Sequence, residues 1–86
     1  MKDKCIKLLE QTAKTPKMFC TNKEALLVRV TTILEIFITN FNASKFYKKH
    51  LKTKGTTYLY LNDTYDNEWA SNVINDGIIL LKSIKE

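Results

Sequence analysis

Apolar residues recur at helical spacing through four stretches of the chain. Cys5, Ile6, Leu9 and Ala13 fall on one side of residues 3 to 14, with Asp3 near the start and Lys14 near the end, as a helix dipole favours. Pro16 cannot continue that helix and pushes Thr15 toward extended geometry. Thr15-Pro16-Lys17-Met18-Phe19 therefore reads as an ordered connector whose Met18 and Phe19 enter the core. Thr21-Asn22-Lys23-Glu24 matches a capping box, with the Thr21 hydroxyl accepting from the Glu24 amide and the Glu24 carboxylate reaching back. From there Leu26, Leu27, Val30, Ile33, Leu34, Phe37, Ile38 and Phe41 keep the i, i+3, i+4, i+7 pattern of a central core helix. Val28 and Ile36 point away from that face and call for a covering element or an interface.

Asn40-Phe41-Asn42 interrupts the pattern, and Asn42 or Ser44 can cap a third helix carrying Phe46, Tyr47, His50 and Leu51 until Gly55. Its other face holds Lys45, Lys48, Lys49 and Lys52. Thr56 to Leu61 alternates Tyr58 and Tyr60 against Thr57, Leu59 and Leu61, which predicts a short extended segment. Asn62-Asp63-Thr64 reads as a turn and Asp66 as the N-cap of a last helix lined by Trp69, Val73, Ile74, Ile78, Leu81 and Ile84. Gly77 in its middle implies close helix packing or a local weakness. The expected fold is mainly α: a compact bundle of about four helices with one short extended segment near residues 56–61.

Composition narrows the class. With 86 residues, 44% hydrophobic, 2 Gly and 1 Pro, the chain suits one folded domain over residues 1–86. Cys5 and Cys20 lack a CxxC or zinc spacing and are expected as reduced thiols. Met1-Lys2-Asp3-Lys4 opens without an apolar signal region, and the longest aliphatic run, Ile78 to Leu81, is too short to span a bilayer. The expected setting is the cytoplasm, with no membrane partner.

The formal net charge is +5, and its distribution is uneven. Lys45, Lys48, Lys49, Lys52 and Lys54 occupy an acid-free stretch, whereas Asp63, Asp66, Glu68 and Asp76 lie where there is no Lys or Arg. Phosphate contact by the lysines, with Phe46, Tyr47, Tyr58 and Tyr60 stacking on bases, is one reading. Arg29 is the single arginine, which weakens it, because bidentate phosphate and base recognition leans on guanidinium.

Catalytic groups are sparse. His50 is the one histidine, neither cysteine carries the surroundings of an activated thiol, and Gly55 and Gly77 stand too far apart for a phosphate loop. Asp63, Asp66 and Glu68 lack the glycine and terminal glutamate of an EF-hand. No catalytic residue, metal site or cofactor is expected. Tyr58, Tyr60, Tyr65 and Trp69, rimmed by charge, instead suit a protein-binding surface.

Leu8-Leu9, the Thr15-Pro16-Lys17-Met18-Phe19 element, the capped apolar helix after it and Trp69 opening the last helix give the chain a resemblance. It resembles small immunity proteins of bacterial toxin–immunity pairs, those of contact-dependent inhibition and related polymorphic toxins, mainly over residues 5 to 41. The resemblance implies a cognate toxin neutralised by occlusion, with no catalysis. A net charge of +5 departs from the acidic character of many nuclease-neutralising immunity proteins.

The expectation is thus a non-catalytic inhibitor that binds a protein through Lys45, Lys48, Lys49, Lys52, Tyr58, Tyr60, Asp63 and Tyr65. The alternatives are a small basic nucleic-acid-binding or regulatory protein of phage or plasmid type, and a homodimer formed through Val28 and Ile36.

Overall fold

In a computed structural model, residues 1–51 and 65–84 are described, and they form a mainly α, bundle-like fold. The helices are α1 (Lys2–Lys14), α2 (Pro16–Phe19), α3 (Lys23–Phe37), α4 (Ala43–Leu51) and α5 (Asn67–Ser83). There is no strand among the described residues. The extended segment expected at 56–61 lies outside them.

Helices α1, α3 and α5 pack on one another and bury the core. Leu9, Leu26, Leu27, Leu34, Ile74 and Leu81 are its largest fully enclosed side chains, joined by Val30 and Val73. Removing this apolar area from water is the main stabilising term. Lys2 donates from Nζ to the Ile84 carbonyl at 3.1 Å, and Leu9 meets α5 at Gly77. The first helix and the last therefore run antiparallel. At Gly77 side chains of α1 and α3 press close to α5: a Cβ there would lie 3.3 Å from Val30 Cγ1, 3.4 Å from Leu9 Cδ1 and 3.7 Å from Leu34 Cδ1. Close packing is why a glycine stands in the middle of α5.

Two buried hydroxyls keep this interior satisfied. Thr12 donates to the Leu8 carbonyl at 2.9 Å and accepts from Arg29 Nε at 2.7 Å, tying α1 to α3. Thr31 donates to the Leu27 carbonyl at 2.7 Å within α3. Each bond removes the penalty of burying an unpaired polar group.

Several local expectations are corrected. The connector after Thr15 forms a single helical turn, α2, with Pro16 at its start, where a missing N–H costs nothing. Met18 does not enter the core; it is 81% exposed. The cap of α3 is Asn22 rather than Thr21: Asn22 is extended (φ −141°, ψ 174°) and its side chain accepts from the Ala25 amide at 2.8 Å. The helix also stops earlier than its apolar pattern. Ile38 leaves it with an extended backbone, and Asn40 adopts φ 61°, a left-handed conformation that asparagine tolerates. Phe41 thus follows a turn at residues 39 and 40, half-buried against the core.

Candidate functional site

Helix α4 is positioned by its cap and by two polar links to α5. Asn42 accepts from the Lys45 amide at 3.0 Å, which fixes the first turn. At about 100° per residue, Phe46, His50, Tyr47 and Leu51 form one sector and Lys45, Lys49 and Lys48 the other. Phe46 and Leu51 are buried, Tyr47 and His50 half-buried, and all three lysines exposed. Lys48, Lys49 and His50 occupy the last turn, where the helix dipole favours positive charge.

Asp76 of α5 holds α4 in place. Its Oδ2 lies 2.9 Å from His50 Nε2, and its Oδ1 accepts from Lys49 Nζ at 3.0 Å. Burial pushes the Asp76 carboxyl up, but hydrogen bonds and charge from Lys49 and His50 outweigh it and hold the group below its usual range. The Lys49 side chain is 63% exposed, so its share of that clasp is weakly stabilising and screened by salt. The His50 side chain is only 10% exposed, so its contact with Asp76 is better shielded from solvent. Trp69 adds a second link, donating from Nε1 to the His50 carbonyl at 3.0 Å.

Between the α3–α4 turn, α4 and α5 these contacts leave a surface groove of about 230 Å³. Phe41, Phe46 and Leu80 supply its apolar lining, and Lys45, Lys49, Asp76 and Asn42 its polar edge. The rings of Phe41 and Phe46 are tilted at 59° with centroids 5.8 Å apart, and the His50 ring centroid lies 4.7 Å from that of Phe46. The arrangement can take up a small apolar group beneath a rim of mixed charge.

Of the site residues expected from sequence, Lys45, Lys48 and Lys49 share the exposed side of α4, and the groove joins two of them. Lys52, Tyr58, Tyr60 and Asp63 lie outside the described residues. Tyr65 is placed differently from the expectation of an exposed anchor. It is buried, donates its hydroxyl to the Cys20 carbonyl, packs 5.6 Å from the Trp69 ring and lies under Lys17 Nζ. Burial raises its hydroxyl pKa, and the neighbouring Cys20 adds to the shift. Its role is to seat the entry to α5 on the α2–α3 junction. Trp69 is half-buried below Lys23 Nζ, which stands 5.4 Å from its ring.

Phe41, Asp76 and Leu80 were not singled out from sequence as site residues. Asp76 and Leu80 are four positions apart and so share a face of α5, which is a visible signal. Their meeting with Lys49 and Phe46 depends on tertiary packing. Cys5 and Cys20 are both buried free thiols, and burial raises the pKa of Cys20 despite the opposing charge of Arg29. Among the described residues, no three His, Cys, Asp or Glu side chains are grouped to hold a metal ion, and no helix is long and apolar enough to cross a membrane. No protein-family model, curated protein or solved structure matches this chain significantly.

Proposed function

We propose that this chain is a non-catalytic protein-binding inhibitor of the immunity type, which neutralises a cytoplasmic toxin by covering its working surface with the outer side of α4. The observation that supports this reading is the exposed sector Lys45–Lys48–Lys49 bordering an apolar groove floored by Phe46. An apolar centre with a charged rim is the anatomy of a protein interface: the centre supplies affinity, and the rim fixes register and speeds encounter. A protein target presenting acidic groups suits the lysine sector. Inhibition then needs only occlusion, which asks nothing of the sparse catalytic groups.

The test is capture of partners from the native host on the tagged chain, with and without nuclease, alongside the double variant Lys45→Glu/Lys48→Glu. Both lysines are exposed, so the variant should keep its helical circular dichroism. A single nuclease-insensitive protein at near-equal stoichiometry, lost in the double variant and toxic to cells unless the chain is co-expressed, is the expected result. Recovery of many proteins that nuclease releases would replace the reading with nucleic-acid binding through the same lysines. Capture that is indifferent to the double variant would remove α4 from the interface.

A further inference from the structure

The groove beside α4 has the dimensions and chemistry of a receptor for one side chain. Its volume of about 230 Å³ falls below the roughly 300 Å³ at which pockets for free small molecules begin, so a whole cofactor would find little enclosure. Two aromatic rings and Leu80 provide the lining, a surface on which an aromatic group packs favourably.

The rim adds a charge preference. Lys45 and Lys49 stand against one carboxylate, Asp76, so two positive charges oppose one negative. Asp76 and Lys49 are paired with each other, and His50 also meets Asp76, so the surplus positive charge on this edge belongs to Lys45. Lys48 adds a further exposed cation on the same side of α4. A ligand bearing carboxylates on both sides of an apolar group meets attraction across this edge, whereas a basic one meets repulsion.

We infer that the groove lined by Phe41, Phe46 and Leu80 receives a single aromatic side chain from an acidic segment of a partner protein, with a flanking Asp or Glu residue engaging Lys45. This deepens the inhibitor reading and rests on it for the identity of the partner, but the recognition chemistry can be tested without one. Buried aromatic anchors surrounded by weaker polar contacts carry most of the energy of such interfaces.

The experiment is a nitrogen-15 amide NMR titration of the full chain with three capped peptides: Glu-Glu-Phe-Glu-Glu, the same peptide with Ala for Phe, and the same with Lys for every Glu. The first should produce saturable shifts centred on the amides of Phe41, Lys45, Phe46, Lys49 and Leu80. Each control should bind about tenfold more weakly, the Ala peptide through loss of aromatic burial and the Lys peptide through charge. Lys45→Glu should weaken the acidic Phe peptide by a similar factor. Equal affinity for the Phe and Ala peptides, shifts centred elsewhere, or no shifts at all would each overturn the inference. Its failure is separable from that of the inhibitor reading. A peptide that does not seat, while a nuclease-insensitive partner is still lost in Lys45→Glu/Lys48→Glu, overturns the groove alone; a peptide that seats, while no partner is captured, upholds the groove and removes the inhibitor.

Discussion

At the scale of single residues, Gly77 shows how packing can reverse a rule of helix propensity. An exposed helical glycine replaced by alanine gains about 1 kcal/mol. Here the new methyl would press on Val30 Cγ1 at 3.3 Å, and a valine in a helix has one strongly preferred rotamer, so it cannot turn aside. Leu9 and Leu34 present flexible ends and can yield. Gly77→Ala is therefore expected to lower stability by about 0.5–1 kcal/mol, as modest overpacking offsets the propensity gain. In a Val30→Ala background the same change should become stabilising, with a coupling of about 1.5–2 kcal/mol. Urea denaturation of the four proteins measures this, and an equal stabilising effect in both backgrounds would show that Val30 is not the obstacle. A close approach at Gly77 was legible in the sequence, since a glycine amid Val73, Ile74, Ile78 and Leu81 has few other uses. The burial of Tyr65 was not, because an aromatic residue beside a turn reads equally well as an anchor or as a core plug. What settles it is the Cys20 carbonyl, a partner 45 residues away that receives the Tyr65 hydroxyl.

Among the helices, the periodic apolar pattern identified α1, α3, α4 and α5 and most of their large buried apolar residues, because burial of one face is what holds such helices in place; the buried Thr12, Thr31 and Ala70 lie outside that pattern. Their ends were less legible. Thr21 and Asn22 are both good capping residues, and the choice between them rests on which backbone is extended at the entry to α3. At the other end, Ile38 and Phe41 prolong the apolar pattern after the backbone has left the helix; they reach the core from either side of a turn, where the side chains stay apolar but the period no longer applies. The cap assignment can be checked directly. Asn22→Ala should cost about 1 kcal/mol by leaving the Ala25 amide unpaired, whereas Thr21→Ala should stay within about 0.5 kcal/mol. Thermal denaturation of both variants distinguishes them, and the reverse ranking would restore the Thr21 capping box. Met18 is misplaced by the same kind of ambiguity: once Pro16 starts a turn of helix, the intervening residues are carried around it, and Met18 faces solvent.

For the molecule as a whole, the consequence of interest is how α4 is attached. The bundle of α1, α3 and α5 is closed by apolar packing; α4 adds Phe46 and Leu51 to that core and is also joined to α5 through Asp76, His50 and Trp69, and the groove walls belong to both helices. The attachment is therefore electrostatic in part and depends on pH. Because the Asp76 pKa is depressed in the folded chain, unfolded molecules take up that proton first as pH falls. The contribution of Asp76 is then complete above about pH 4, the ordinary value for an aspartate, and is lost as pH drops through the lower folded pKa. Asp76→Asn should cost about 1–2 kcal/mol at neutral pH, the range for a hydrogen bond to a charged group that is partly exposed. The gap between the variant and the unaltered chain should close in acid, because protonation removes from one what substitution has removed from the other. A gap of the same size at neutral and acid pH would show that Asp76 acts through its shape and not its charge. Amide hydrogen exchange locates the effect: in Asp76→Asn at neutral pH, the amides of α4 should exchange faster while those of α1, α3 and the first half of α5 keep their protection. Loosening of α4 parts Phe46 and Lys49 from Leu80, so this variant should also lose the acidic aromatic peptide even though the carboxylate it removes is the one that would repel it.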